Sequence, residues 1–122
     1  ELLVTGGNGF IGRRICKRAV RDGHEVTSVA RSGPPEAGEG GAWAADVDWI
    51  EGDVFAPHGW RDGLDGVDCV VHSIGTLSES PAEGVTFERI NGDSAIITAL
   101  EAERAAVDRF VYISSSATPP LV

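Results

Sequence analysis

Residues 5–12 of this 122-residue chain read Thr-Gly-Gly-Asn-Gly-Phe-Ile-Gly. Gly6, Gly9 and Gly12 stand three apart, the spacing at which a chain turns tightly, approaches a phosphate closely and then packs a helix against a strand. The preceding run Leu2-Leu3-Val4 suits a strand buried on both faces, and from Ile11 the pattern becomes helical. A helix opening there aims its first-turn N–H groups at whatever the loop holds, and its dipole favours an anion. Thr5, Gly6, Gly7, Asn8, Gly9, Phe10, Ile11 and Gly12 are therefore candidate residues of a cradle for a dinucleotide pyrophosphate. A glycine triplet alone is a weak signal; one that follows a strand and opens a helix is specific.

The remaining elements must hold that loop. Residues 11–22 carry Ile11, Ile15, Ala19 and Val20 on one face and Arg and Lys on the other, with Gly23 as a left-handed cap. Residues 25–30 alternate into a second strand, and 32–46, rich in Gly, Pro, Ala and Glu, read as an acidic surface loop. A third strand is expected at 47–50, a brief helix at 57–64, and a fourth, nearly continuously apolar strand at 67–72. Residues 83–106 form the longest helical pattern, through Phe87, Ile90, Ala95, Ile97, Leu100 and Ala105. A fifth strand at 110–113 runs into Ser114-Ser115-Ser116. This order predicts an α/β fold with a doubly wound, Rossmann-like parallel sheet and right-handed crossovers, forming one domain over 1–122.

A chain of this size, 42% hydrophobic, can bury an independent core. It begins inside the first strand without an initiating Met and stops at Pro119-Pro120-Leu121-Val122, which reads as the N-terminal portion of a longer protein. The formal charge of −9 disfavours nucleic-acid binding, which needs a basic surface to displace counterions. Arg13, Arg14, Lys17, Arg18, Arg21 and Arg31 nonetheless cluster near the proposed phosphate site, or simply form a solvated helix face. Cys16 and Cys69 read as small buried hydrophobes, and without a clustered Cys/His set no metal site is expected.

With Thr5–Gly12 in place, the chain resembles the extended and atypical branches of the short-chain dehydrogenase/reductase superfamily, whose opening motif is TGxxGxxG. Asp53-Val54, His72-Ser73-Ile74-Gly75, Asn91-Gly92 and Phe110-Val-Tyr-Ile-Ser-Ser-Ser116 extend the likeness along nearly the whole chain. The resemblance implies that Asp53 accepts a hydrogen bond from the adenine amino group with Val54 beside the ring, although Asp53 also suits a plain turn. It implies that Ser73, Ile74 and Gly75 line the ribose and approach the nicotinamide, and that Asn91 supports the active site. His72 reads as a strand-end histidine.

NAD-specific members of such a family place an acid at the end of strand 2, where this chain has Ala30 followed by Arg31-Ser32. Without the acid a 2′-phosphate is not repelled, and Arg31 with Ser32 can bind it, which favours NADP(H) over NAD(H). Active members also use a Tyr-x-x-x-Lys pair beyond strand 5 and a substrate-orienting Ser, which Ser116 matches best and Ser115 next. Tyr112 and Lys17 are the only Tyr and Lys, so the pair is not within these residues.

Short strings such as Val29-Ala30-Arg31-Ser32-Gly33 and Arg89-Ile90-Asn91-Gly92 are similar to a mitochondrial atypical subgroup associated with coenzyme Q biosynthesis and to its plastid counterparts. The NADPH-binding accessory subunit of respiratory complex I is a sister group. That likeness implies a mitochondrial setting, with chloroplast or bacterial cytoplasm as alternatives, and a respiratory or quinone-biosynthesis complex at a membrane as partner. Three roles follow: an NADP(H)-binding accessory or assembly factor; an active reductase, dehydrogenase or sugar-nucleotide epimerase with its Tyr-x-x-x-Lys downstream; or an NmrA-type redox-sensing regulator.

Overall fold

The computed structural model describes residues 1–36, 41–74, 81–84, 86 and 88–113. Five parallel strands, β1 (Leu2–Thr5), β2 (Val26–Ala30), β3 (Val47–Glu51), β4 (Cys69–His72) and β5 (Arg109–Tyr112), form one sheet in the order β3-β2-β1-β4-β5. Thr5, the last residue of β1, is paired with Val29 on one side and His72 on the other. The strand order reverses between β1 and β4, and open α/β sheets bind ligands in the crevice at such a point.

Alternate side chains on each strand supply two cores. On one face Val4, Val26, Val47 and Val71 pack with Cys16 and Ala19 of α1 (Phe10–Arg21). On the other, Leu3, Val29 and Val70 pack with Val54, Trp60, Leu64, Val67 and with Ala102 of α2 (Ser94–Arg104). The expected doubly wound parallel sheet is thus formed, covered on both faces. The cap expected after α1 is also present: Gly23 has φ +87°, and the His24 N–H donates to the Ala19 carbonyl at 3.0 Å.

Three local expectations are corrected. The surface loop expected over 32–46 contains a 3-10 turn, Ala42–Asp46, that ends directly in β3. Trp43 anchors it, with its ring centroid 6.3 Å from that of Trp49, whose indole N–H donates to the Ala44 carbonyl at 2.9 Å. One large apolar side chain outweighed a Gly- and Ala-rich composition.

The helix expected over 57–64 is two 3-10 turns, Pro57–Gly59 and Arg61–Leu64. Trp60 between them leaves helical geometry at φ −139° to enter the core, where it is 1% exposed. Gly59 and Gly63 give little propensity to resist that break.

Among the described residues, the long helix expected over 83–106 is α-helical only in α2, after a 3-10 turn, Pro81–Glu83, and a π-helical turn, Glu88–Asp93. Its apolar periodicity marked the inner face only in part: Ile97 packs against the core, but Leu100 does not. Ile96 and Leu100 are exposed, whereas Ser94, Thr98, Glu101 and Ala102 are buried. The buried polar groups are satisfied: Thr98 Oγ1 donates to the Ser94 carbonyl at 2.8 Å, and Glu101 pairs with Arg61 at 2.9 Å and Arg104 at 3.3 Å. Phe87 lies outside the described residues.

Candidate functional site

The glycine loop leaves β1 without losing its hydrogen bonding. The Gly6 N–H donates to the Val29 carbonyl at 2.8 Å, one residue beyond the strand, and Gly6 then takes φ +73° to turn the chain. The Gly9 N–H closes the turn on the Gly6 carbonyl at 3.0 Å. At Gly12 a Cβ would lie 1.9 Å from the Gly6 carbonyl oxygen, so the first turn of α1 sits against the loop as only glycine permits. Gly9 is the N-cap residue of α1; no side chain caps the helix and no acid lies in its first turn. The first-turn N–H groups of a helix have no intrahelical acceptor, so these donors and the positive end of the dipole fit an anion. Phe10 and Ile11 are exposed, and the Arg14 guanidinium lies 3.9 Å over the Phe10 ring.

Two polar links tie the loop to β2. The buried Ser28 Oγ accepts from the Gly7 N–H at 3.0 Å and donates to the Val4 carbonyl at 3.0 Å. Asn8 Nδ2 donates to Ser32 Oγ at 2.9 Å, while Arg13 Nε donates to both the carbonyl and the Oδ1 of Asn8. Arg31 and Ser32 are exposed immediately after β2.

Beyond β3, Asp53 is exposed and builds its own turn: Oδ1 accepts from the Phe55 N–H and the carbonyl from the Ala56 N–H, each at 2.9 Å. Val54 is buried in the core, and the Arg89 guanidinium lies 4.0 Å over the Phe55 ring. At the end of β4, Ser73 and Thr5 lock each other. Ser73 Oγ donates to the Thr5 carbonyl at 2.6 Å, and the Ser73 N–H donates to Thr5 Oγ1 at 3.2 Å. Ile74 packs against the turn, close enough that a Cβ on Gly6 would lie 3.0 Å from its Cγ1.

Thr5 to Gly12, Arg31, Ser32, Asp53, Val54, Ser73 and Ile74 therefore gather at the carboxyl ends of β1 to β4. Asn91 lies further on, half-buried in the π-helical turn, with its carbonyl accepting from Tyr112 Oη at 3.2 Å. Gly75, Ser115 and Ser116 lie outside the described residues.

His72 is fully buried beneath this floor, and burial lowers its pKa from 6.5 to about 4. Thr5 Oγ1 lies 2.8 Å from Nδ1 and Ser94 Oγ 3.0 Å from Nε2, while Ser94 Oγ also donates to the Ile90 carbonyl. Sequence reasoning missed Ser28 and the bonded role of His72. A polar residue inside an apolar strand was the available signal for each. Burial likewise raises the Cys16 thiol to about 11, and the pair Cys16 and Cys69 is unbonded. Among the described residues no group of His, Cys, Asp or Glu could hold a metal, and no helix is long and apolar enough to cross a membrane.

A parallel sheet in this order, with a glycine loop leading from β1 into α1 at the switch point, defines a Rossmann-type nucleotide-binding domain. Residues 2–121 match the NAD dependent epimerase/dehydratase family, and the chain belongs to it. It is 33% identical over 168 aligned residues to MIOREX complex component 2 of Saccharomyces cerevisiae, covering 100% of this chain and 61% of that protein. It is 38% identical over 114 residues to the chloroplastic protein At1g32220 of Arabidopsis thaliana, covering 93% of this chain and 36% of the other. The solved structure of MoeE5 in complex with UDP-glucose and NAD superposes with a TM-score of 0.74 at 25% identity, over 95% of this chain and 36% of that one. The chain thus spans between 36% and 61% of the length of these relatives. The resemblance to dehydrogenase-like proteins of the extended and atypical type is met.

Proposed function

We propose that this chain binds NADP(H) as part of an accessory or assembly factor that serves a respiratory or quinone-related protein complex in an organelle. The observation that carries the cofactor assignment is the end of β2: Ala30, Arg31 and Ser32 stand where an acid would select NAD(H), and Ser32 is bonded to Asn8 of the glycine loop. The loop and the α1 N-terminus hold the pyrophosphate. Arg31 and Ser32 take the 2′-phosphate. Asp53 offers the adenine amino group its second carboxylate oxygen, since its turn engages Oδ1. Ser73, Ile74 and Gly75 line the ribose and the path to the nicotinamide, and Asn91 supports that end.

Membership of a complex draws support from the yeast relative's designation as a MIOREX complex component, and an organellar location from the chloroplastic Arabidopsis relative. NADP(H), when bound, supplies hydride chemistry; the residues described here bind and orient it. A second reading is an NADP-dependent reductase, dehydrogenase or sugar-nucleotide epimerase in which Ser116 or Ser115 orients substrate and a Tyr-x-x-x-Lys lies downstream. The likeness to MoeE5, which holds UDP-glucose and NAD, favours it. NADPH fluorescence titration of the full-length protein, beside turnover assays with quinones, ketones and nucleotide sugars, separates the two. Tight binding without hydride transfer supports the accessory role, and hydride transfer to any of these acceptors supports the enzyme.

A further inference from the structure

We propose that His72 is a positioning residue that couples the glycine loop to the π-helical turn Glu88–Asp93, holding Thr5 with one ring nitrogen and, through Ser94, the Ile90 carbonyl beside Asn91 with the other. The order of protons along this path follows from its ends. Ser94 Oγ–H is donated to the Ile90 carbonyl, so Ser94 Oγ accepts from Nε2–H of the ring. His72 is then the neutral Nε2–H tautomer, and its Nδ1 accepts the Thr5 hydroxyl proton at 2.8 Å. Thr5 Oγ1 in turn accepts from the Ser73 N–H at 3.2 Å. One uninterrupted path therefore runs from the floor of the crevice, at the ends of β1 and β4, to the backbone of the π-helical turn.

The ring has little freedom to leave this path. Phe110 and Tyr112, on the same face of the adjacent strand β5, stack beside it at centroid distances of 6.3 and 6.0 Å and interplanar angles of 21° and 24°. Tyr112 adds a second restraint on the turn by donating to the Asn91 carbonyl. A π-helical turn is a rare and costly geometry that persists where surrounding contacts over-determine it. Here two consecutive carbonyls of the turn, Ile90 and Asn91, are fixed by side chains that both meet His72. The functional consequence rests on the dinucleotide reading: an anion settling in the glycine loop and Asn91 at the nicotinamide end then move as one unit.

Hydrogen–deuterium exchange of the full-length protein tests the coupling without any ligand. His72→Phe keeps a stacking ring but neither hydrogen bond, and Ser94→Ala removes only the far link. In both variants the amides of 90–94 should exchange about tenfold faster or more, the consequence of unpairing buried polar groups. Gly6 and Gly7 should speed up in His72→Phe alone, and the amides of residues 13–20 in α1 should stay as in the wild type. His72→Gln, which can still donate toward Ser94, should restore the protection of 90–94 and not that of Gly6 and Gly7. Unchanged exchange over 90–94 in Ser94→Ala, or acceleration spread equally through α1, overturns the proposal. NADPH affinity should fall about tenfold in His72→Phe and by a smaller factor in Ser94→Ala, which loosens the turn that carries Asn91 but leaves Thr5 held. Failure of the wild type to bind NADPH would overturn the dinucleotide reading alone, because the exchange comparison requires no cofactor.

Discussion

Asn8 Nδ2 donates to Ser32 Oγ across 2.9 Å, so the middle of the glycine loop is fastened to the residue that follows Arg31. Arg13 holds Asn8 from the opposite side, through both its carbonyl and its Oδ1. The glycine loop and the β2 exit are thereby one unit, so that under the proposed function the loop that holds the pyrophosphate and the guanidinium that meets the adenosine ribose are fixed relative to each other.

Arg31→Asp reverses the charge at that exit without touching the loop. NADPH binding should weaken at least about tenfold more than NADH binding, because a charge-assisted contact to the 2′-phosphate becomes a repulsion. Parallel fluorescence titrations with the two cofactors measure the ratio, and equal losses would refute the assignment.

Gly12→Ala places a methyl group 1.9 Å from the Gly6 carbonyl oxygen and 2.9 Å from the Gly7 Cα, both backbone atoms that cannot rotate away. The loop or the helix must shift, at a cost of about 1–3 kcal/mol in stability, and dinucleotide affinity should fall more than proportionately. Urea denaturation beside NADPH titration reads both effects. Wild-type values in either would mean that the close packing is unnecessary.

Ser28→Ala strands the Gly7 N–H and removes a donor from the Val4 carbonyl inside the core. A loss of about 1–3 kcal/mol is expected, seen as a lower urea midpoint at unchanged slope. A variant as stable as the wild type would show that water or a neighbour replaces the hydroxyl.

Stability should depend on pH through His72. Burial lowers its folded pKa from 6.5 to about 4, so the native state binds fewer protons than the unfolded chain between those values. The stabilising contribution is complete above pH 6.5 and is lost as pH falls through the window toward 4, roughly 3 kcal/mol in all. Denaturation midpoints measured from pH 7 to 4 should fall in the wild type, and the part due to His72 should vanish in His72→Phe.

Much of this was legible in the sequence where backbone requirements dictate residue type. Gly6, Gly9 and Gly12 announced the loop, and the apolar run from Leu2 to Val4 announced the central strand. The gathering of Arg31, Asp53 and Ser73 at one sheet edge followed from the βαβ order. The rest depended on tertiary contacts that local pattern cannot show. Burial of Ser94 and Glu101 is permitted by His72 and Arg61 elsewhere in the fold, and that of Thr98 by the Ser94 carbonyl, so hydrophobic periodicity found Ile97 but missed these inward positions of α2. The π-helical turn has no composition of its own; Ser94 and Tyr112 bond its carbonyls from α2 and β5. Trp43 and Trp60 overrode weak local propensity by finding core contacts.

The central claim, that the crevice between β1 and β4 holds NADP(H), is tested most directly by titrating the wild-type full-length protein with NADPH and NADH and following nicotinamide fluorescence. Saturable binding of both, tighter for NADPH, is the predicted result. Saturation by neither cofactor, or tighter binding of NADH, would contradict it.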